Sequence, residues 1–412
     1  MINSIQRNFI NDPMSKKIMT LLNEEEDSAR FVGGCVRDSL INIKTNDIDI
    51  ATKIKPENVV KILSSNSIKV IPTGIDHGTV SVFTDDFNFE ITTLRSDVET
   101  DGRHAKVIFT NDWFKDSMRR DFTFNSIYLS PKGDIFDPHN GTSDLLEGII
   151  KFIGNSEERI REDYLRILRY FRFSAYYGND NVQFSSSNIA ACKILGPELK
   201  KISSERIQNE FFKILISPRA KKVIQALYDA DILKILFDQV IDFSFFLRMV
   251  DIDTKHSHRP DSLLRFITLI HLQNITYDQL TMFNFSNKQK KLILLFINKK
   301  LKFSMDMQLN ELNKIFYFFG KEISEQGIRL FWSRDNDALN DSRWLKILKN
   351  NQNWKKPVFP IKAEDVMYLG VEEGPIFGEI LDELEDIWIS SDFINSRSFL
   401  LNKLKEIVRL KI

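Results

Sequence analysis

The chain has little cysteine and no long apolar run, and each absence excludes a class of protein. Cys35 and Cys192 are the only cysteines in 412 residues, too few for a disulfide framework or for a zinc site built from thiolates. No run of about 18 apolar residues is present to span a membrane. The opening residues, MINSIQRNFINDPMSKK, lack the apolar core of a signal peptide. We therefore expect a cytoplasmic protein that does not enter a membrane.

The chain also lacks a net charge, because 57 basic and 57 acidic residues cancel. Nucleic-acid-binding proteins are often basic overall, so this balance counts mildly against an RNA partner. It does not exclude one, since binding needs only one positive face. The hydrophobic fraction of 42% is ordinary for a globular protein, and the length allows about two to four domains.

The pattern of residues changes once along the chain. A short helical segment over 1–29 precedes β-rich runs at 30–32, 47–51, 68–72, 79–83 and 89–94, with the helical stretch PENVVKILSS among them. Beyond Gly154 the apolar residues recur with the period of a helix. Breaks in that helical pattern fall near Gly178, Gly196-Pro197, Ser217-Pro218, Pro260, Gly320 and 357–360. The sequence predicts an α+β fold, in which a mixed sheet is followed by an all-helical region.

The stretch FVGGCVRDSLINIKTNDIDIAT contains the most informative residues. Gly33 and Gly34 lie between a strand and a helix, where a phosphate can approach backbone amides, and Arg37 can bind the same phosphate. Asp47 and Asp49 alternate with isoleucines, which places both carboxylates on one face of a strand. Such a pair repels unless a cation lies between the two groups, and its oxygens suit Mg²⁺ completed by substrate phosphates.

Each part of this pattern also has a plain structural interpretation. A glycine pair alone is usually a turn, and an isolated D-x-D is often a solvated strand face. The combination at this spacing is far rarer, and it favours a site for phosphoryl transfer. Glu90, in the alternating strand NFEITTLR, is either a third acidic group of that site or a surface residue.

Two further clusters of charged residues are candidates for nucleotide binding. Arg119, Arg120 and Asp121 precede the apolar run FTFNSIYL; they can hold a triphosphate and a ribose hydroxyl, or form a surface ion-pair cluster. Asn125 lies inside that run and needs a polar partner if it is buried. The second cluster lies in ERIREDYLRILRYFRF, where its charged residues are spaced three apart and are predicted to line one stripe of a helix. The alternative interpretation is an ordinary series of ion pairs along that helix. The members of this cluster are Asp163, Arg166, Arg169 and Arg172.

An aspartate and an arginine side by side can read a base. Cytosine and adenine each present an amine donor beside a ring-nitrogen acceptor, whereas uracil and guanine present a carbonyl beside a ring N–H. A carboxylate that accepts and a guanidinium that donates therefore pair with C and A. With G and U, the same two groups would be left without partners.

Together these stretches resemble the class II tRNA nucleotidyltransferase and bacterial poly(A) polymerase family. The residues GGCVRD with DID resemble its motif A, RRDFTFN its motif B, and EDYLR its nucleotide-reading motif. FDPHNGTSDL and SSERIQNEFFKIL resemble two further motifs of the family. They occur in order over about residues 30–215, roughly half of the chain. The helical remainder has no motif that matches.

The resemblance implies a polymerase-beta-like nucleotidyltransferase head over 1–153, a neck over 154–216, a body over 217–320 and a tail over 321–412. It also implies two Mg²⁺ ions on Asp47 and Asp49. The residues that it implies for the incoming nucleotide are Gly34, Arg37 and Arg120 for phosphates or ribose, Asp163 and Arg166 for the base, and Arg169 and Arg172 for the triphosphate. The residue pattern adds Gly33 and Asp121 as further candidates for nucleotide binding.

Within the family the chain most resembles the bacterial CCA-adding enzymes without an HD domain. IPTGIDHGTVSVF resembles a stretch of theirs, and RSDVETDGRHAKVIFTNDW resembles their flexible loop. The resemblance implies addition of C, C and A to the 3′ end of tRNA from CTP and ATP, with no obligate protein partner. Addition of A alone or of poly(A), and an inactive RNA-binding relative, are the alternatives.

Overall fold

The structure of the chain, a computed structural model, describes residues 8–101, 104–180, 184–270, 280–297, 301–335 and 342–411. It divides into two compact units. The first comprises Met1–Ile241 with Asp278–Asn284, and the second comprises Asp242–Tyr277 with Phe285–Ile412. The division into head, neck, body and tail stays a prediction.

The first unit contains the β-sheet that the sequence predicts. The strands are β1 (Ala29–Val32), β2 (Asp47–Thr52), β3 (Ile71–Gly74), β4 (Thr79–Phe83), β5 (Asn88–Thr93), β6 (Arg95–Asp101), β7 (His104–Phe109), β8 (Tyr128–Leu129) and β9 (Ile135–Phe136). Seven of them form one sheet in the order β3-β4-β5-β2-β1-β8-β9. Only β2 and β5 pair in parallel; the other pairs in this sheet are antiparallel. The sheet is therefore mixed.

Two segments differ from the sequence prediction. The run predicted as a strand over 68–72 is a strand only from Ile71, where β3 begins. The preceding helix ends at Ser65, and the amide of the buried Ile68 bonds to the carbonyl of Leu63 at 3.0 Å, which closes the turn after that helix. The segment expected to be a loop forms the antiparallel hairpin β6–β7. Alternation in HAKVIF is itself typical of a strand.

Helices of the first unit precede the strands, connect them and follow the last strand. Those of the first unit are α1 (Asn8–Asn11), α2 (Pro13–Leu22), α3 (Gly34–Leu40), α4 (Pro56–Ser65), α5 (Trp113–Met118), α6 (Gly141–Glu147), α7 (Ser156–Glu162), α8 (Arg166–Tyr177), α9 (Ser186–Leu195), α10 (Ser204–Leu215), α11 (Ala220–Asp229) and α12 (Ile232–Phe237). The helix predicted from PENVVKILSS is α4, with Pro56 in its first turn.

Aromatic packing holds α8 against the apolar run that follows Asp121. Phe173 of α8 meets the rings of Phe122 and Phe124 edge-on, at centroid distances of 5.2 and 5.3 Å. All three side chains are buried. Because each buried aromatic ring removes a large apolar area from water, this contact fixes the helix relative to the sheet. The polar residues on the same helix are thereby placed as well.

The described part of the second unit is helical, as the sequence predicts. Its helices are α13 (Ser244–Lys255), α14 (Ser262–Ile270), α15 (Asn287–Ile297), α16 (Leu309–Trp332), α17 (Ser342–Asn353), α18 (Ala363–Met367), α19 (Pro375–Ser390) and α20 (Arg397–Lys411). Gly320, where a break is predicted, kinks α16 with a φ of 74°. No helix within the described ranges is long and apolar enough to cross a membrane.

Candidate active site

An open cleft of about 390 Å³ lies in the first unit, beside the turn between β1 and α3. It brings together most of the residues that the sequence analysis singled out, although they are spread over about 140 positions of the chain. The predicted site residues that line it are Gly33, Gly34, Arg37, Asp49, Arg120, Asp121, Arg166, Arg169 and Arg172. Asn125 and Phe173 also line it. Asp47, Glu90 and Asp163 do not.

The glycine turn needs glycine for both conformation and space. Gly33 has a φ of 71°, which side chains other than glycine rarely adopt. A Cβ there would lie 3.2 Å from Oδ2 of Asp49 and 3.6 Å from Nη1 of Arg120. The amide of Gly34 donates a hydrogen bond to Asp49. The backbone of the turn therefore lies directly against the carboxylate at the floor of the cleft.

The acidic residues are neighbours across two parallel strands. Pairing of β2 with β5 places Asp47 beside Asn88, and Asp49 beside Glu90. Asn88 donates from Nδ2 to Oδ1 of Asp47 at 3.0 Å. Residues paired in register point to the same face of a sheet. Of the two interpretations of Glu90, the one that places it near the aspartate pair agrees with this geometry, although its side chain is also exposed.

The electrostatics around Asp47, Asp49 and Glu90 favour a bound cation. The pKa of Asp49 is raised to about 6, mainly by burial and then by the carboxylate of Glu90, with a smaller contribution from Asp47; Arg120 and the amide of Gly34 oppose the shift. A carboxylate so placed gains by binding a positive ion. No three His, Cys, Asp or Glu side chains in the described ranges lie close enough to share a metal ion. The carboxylates of Asp47 and Asp49, on one face of β2, are oxygen donors of the kind that a divalent cation accepts when substrate oxygens complete its ligands.

Arg120 is held by a carboxylate buried behind the cleft. Its Nη2 lies 3.2 Å from Oδ2 of Asp116, and its Nε donates to the hydroxyl of Tyr128 at 3.2 Å. Asp116 also accepts from Nε of Arg119 at 2.8 Å and from the Tyr128 hydroxyl at 2.7 Å. Although burial opposes ionisation, Arg120 and Arg119 lower the pKa of Asp116 to about 2. The guanidinium of Arg120 is therefore fixed in orientation.

A chain of hydrogen bonds crosses from the glycine turn to α8. Arg37 donates from Nη1 to Oδ1 of Asn125 at 2.7 Å, and Asn125 donates from Nδ2 to Oδ1 of Asp121 at 2.9 Å. The other oxygen of Asp121 accepts from Nε of Arg169 at 2.7 Å. Burial acts to raise the pKa of Asp121, but Arg169 and Asn125 hold it well below its usual range. Asn125 thus has the polar partners that its burial requires.

Every arginine of the cleft has a carboxylate partner. Arg172 donates from Nε to Glu210 of α10 at 2.6 Å and stacks over the ring of Phe173 at 4.2 Å. Arg37 donates from Nε to Asp38 at 2.8 Å and lies 4.3 Å over the ring of Tyr177. Guanidinium groups held in this way lose little side-chain freedom when an anion binds. The guanidinium groups of the cleft are therefore oriented before any anion binds.

Asp163 and Arg166 are not on one helix stripe, which corrects the sequence interpretation. Asp163 has a φ of −154° and follows the end of α7, while α8 begins at Arg166. The reason is local, since Oδ1 of Asp163 accepts from the amide of Leu165 at 3.1 Å and the chain turns between the two helices. Arg169 and Arg172 do lie on α8, three residues apart, as predicted.

Several residues that orient the cleft received no role from their sequence pattern, although three of them fall within stretches that resemble family motifs. They are Glu162, Arg206, Asp116, Glu210 and Tyr177. Asp116 precedes Arg120 by four residues, a spacing at which ion pairs form on helices, and this was a usable signal. Glu210 and Arg206 are too far along the chain from their partners to be inferred by spacing.

Comparison with known proteins identifies the family. Residues 29–151 match the poly A polymerase head domain, and residues 183–243 match a segment described as a probable RNA and SrmB-binding site of polymerase A. The human mitochondrial CCA tRNA nucleotidyltransferase 1 is 32% identical over 403 residues, which are 95% of this chain and 89% of that protein. The chain belongs to the CCA tRNA nucleotidyltransferase family.

Further relatives agree with this assignment. The CCA-adding enzyme of Ligilactobacillus salivarius is 31% identical over 405 residues and covers 96% of each chain. The crystal structure of the Bacillus stearothermophilus CCA-adding enzyme in complex with CTP has the same fold, with a TM-score of 0.66, 22% identity and coverage of 96% and 97%. The predicted family and fold class are confirmed, and this member of the family is a nucleotidyltransferase.

Proposed function

We propose that this chain adds C, C and A in turn to the 3′ end of tRNA from CTP and ATP, releasing pyrophosphate and using no nucleic-acid template. The observation that carries the proposal is a single cleft in which Asp49 and the glycine turn face the arginines of α8. This arrangement joins a site for phosphoryl chemistry to side chains that can hold a nucleotide. Membership in the family supports tRNA as the acceptor.

In this proposal Asp47 and Asp49 hold Mg²⁺, with Glu90 as a further acidic neighbour. When bound, Mg²⁺ polarises the α-phosphate and lowers the pKa of the attacking 3′ hydroxyl. Asp49 lines the cleft, and burial together with Glu90 raises its pKa more than Arg120 and the amide of Gly34 lower it. Asp47 is oriented by Asn88. The carboxylates therefore supply the negative charge that draws the cation to the reacting phosphate.

The phosphates of the incoming nucleotide lie, we propose, against the glycine turn and the arginines. Gly33 and Gly34 leave the backbone open for close approach. Arg37 and Arg120 contact phosphate or ribose oxygens, and Asp121 contributes to this binding by orienting Arg169, whose Nε donates to its Oδ2. Arg169 and Arg172 bind the triphosphate from the side of α8. Because their carboxylate partners already orient these guanidinium groups, they need little rearrangement to bind an anion.

The base is read, in the same proposal, by Asp163 and Arg166. Asp163 accepts from the exocyclic amine of cytosine or adenine, and Arg166 donates to the adjacent ring nitrogen. Uracil and guanine would leave both side chains without partners, which costs affinity. The four-part division of the chain and a cytoplasmic location belong to this proposal as well. So does the absence of an obligate protein partner.

Product length tests the proposal. Purified chain, Mg²⁺ and a tRNA lacking its last three nucleotides are incubated with CTP alone, ATP alone, and both. We expect two additions with CTP, three with both, and no long tail with ATP. A ladder of A residues would instead identify a poly(A)-adding enzyme. Asp47→Ala should bind the tRNA but incorporate nothing, and a wild-type protein that binds without incorporation would be the inactive relative.

A further inference from the structure

The proposed pair of base-reading side chains selects nucleotides only if their order is fixed. With the carboxylate at the amine and the guanidinium at the ring nitrogen, the pair suits C and A. With the two groups exchanged, the carboxylate would accept from the ring N–H of uracil or guanine, and the guanidinium would donate to the carbonyl. Identical side chains therefore read either set of bases. Whatever holds them in place determines the specificity.

Asp163 is held from outside its own segment. Oδ2 accepts from Nη2 of Arg206 at 2.7 Å, and Oδ1 accepts from the amide of Leu165 at 3.1 Å. Arg206 belongs to α10, 43 residues further along the chain. The side chains of Arg206 and Asp163 are only 27% and 21% exposed, so water competes weakly for this pair. Each carboxylate oxygen still has a free lone pair for a base amine.

Arg166 is held by a separate set of partners. Its Nη1 donates to Glu162 at 2.7 Å and to the carbonyl of Arg159 at 2.9 Å, while Nη2 donates to the carbonyl of Arg119 at 3.1 Å. Asp163 and Arg166 are therefore anchored independently. Without its own anchor, either side chain would be free to rotate toward the other's place beside the base.

We propose that Arg206 is a specificity-determining residue, which fixes Asp163 at the amine of the incoming base and so selects C and A over U and G. This inference rests on the proposed base-reading role of Asp163. Arg206 is a positioning residue, because it acts on the base through Asp163, whose Oδ2 it contacts. The planar guanidinium directs its N–H groups rigidly toward Oδ2, which the flexible ammonium of a lysine does less well.

The test compares Arg206→Ala and Arg206→Lys with the wild type. The ratio of kcat/KM for CTP to that for UTP is measured in single additions to a tRNA lacking its last three nucleotides. We expect this ratio to fall about ten-fold or more for Arg206→Ala, with a smaller fall for Arg206→Lys. Arg161→Ala removes an exposed arginine of α7 that pairs with Glu157, and its ratio should not change.

A purely structural arginine would give a different result. Equal losses for CTP and UTP, with the ratio preserved, would overturn the inference. Thermal unfolding identifies a variant that does not fold; if Arg206→Ala fails to fold, the ratio for Arg206→Lys decides. Failure of the proposed function is distinguishable from failure of this inference, because in the first case the wild type itself would not add C and A. A wild type that adds C and A, beside an Arg206 variant that keeps full selectivity, would refute this inference alone.

Discussion

Asp116 and Arg120, four residues apart in the chain, form an ion pair whose carboxylate is fully buried behind the candidate active site. The same carboxylate accepts from the backbone amide of Arg95 at 3.2 Å, at the base of the hairpin β6–β7. One side chain therefore orients an arginine of the cleft and anchors the start of the hairpin. Its removal should affect nucleotide binding even though Asp116 does not line the cleft.

Replacement of Asp116 by asparagine should raise the KM for CTP about ten-fold, because Arg120 loses the charge that orients it. The variant should also be less stable, since buried guanidinium groups are left without a counter-charge. Steady-state kinetics on protein checked by circular dichroism give the measurement. Asp27→Asn is the matched control, because Asp27 pairs with Arg30 at 2.7 Å in the same unit but outside the cleft. An unchanged KM in a folded Asp116→Asn protein would contradict the expectation.

Asp49→Asn should abolish incorporation yet stabilise the metal-free protein near pH 8. The folded-state pKa of Asp49, about 6, lies above the usual value of 3.8. The folded state therefore binds more protons than the unfolded state between these values, and wild-type stability falls as pH rises through 6. Asparagine carries no charge and avoids this loss, a gain of roughly 1 to 3 kcal/mol.

Urea denaturation in EDTA at about pH 4.5 and about pH 8 measures this effect. The difference in unfolding free energy between variant and wild type should be larger at the higher pH. Saturating Mg²⁺ should reduce or reverse this difference in unfolding free energy, because the cation stabilises only the wild type. A difference in unfolding free energy that does not depend on pH would show that ionisation of Asp49 does not destabilise the folded state.

Gly33→Ala and Gly154→Ala separate backbone strain from obstruction of the cleft. Both glycines have positive φ, 71° and 79°, so alanine should cost each roughly 1 to 2 kcal/mol of stability. At Gly154 a Cβ meets nothing within 4 Å, whereas at Gly33 it would lie 3.2 Å from Asp49. Only Gly33→Ala should therefore lose activity strongly, by about 100-fold. Equal activity of the two variants would refute close approach at the turn.

Asp253→Ala should destabilise the second unit strongly. Asp253 is buried between two buried arginines: its Oδ2 lies 2.9 Å from Nη2 of Arg265, and its Oδ1 bonds to Arg329. Removing the carboxylate takes away the counter-charge that these two buried guanidinium groups share, at a cost of about 3 to 5 kcal/mol. Calorimetry measures the shift in melting temperature. Asp306→Ala, which removes an exposed carboxylate beside Arg343 in the same unit, should change stability by less than about 1 kcal/mol.

Local patterns in the sequence were sufficient to predict most helices and strands and to select candidate residues for the site. The alternation in DIDIAT predicted the strand β2, and Pro56 marked the first turn of α4. Gly320 marked a kink that interrupts the hydrogen bonding of α16. These features depend on residues within a few positions of one another, and backbone geometry links such residues directly. Family motifs then supplied candidate roles for the charged residues.

Only the tertiary structure decided which charges face each other. The sequence by itself left Glu90 undecided; the parallel pairing of β2 with β5 places it beside Asp49, 41 positions away. The sequence also placed Asp163 on a helix with Arg166, whereas the structure pairs it with Arg206 of α10. Strand register and the choice of counter-ion follow from how distant segments pack around the aromatic core, and periodicity along the chain carries no information about that packing.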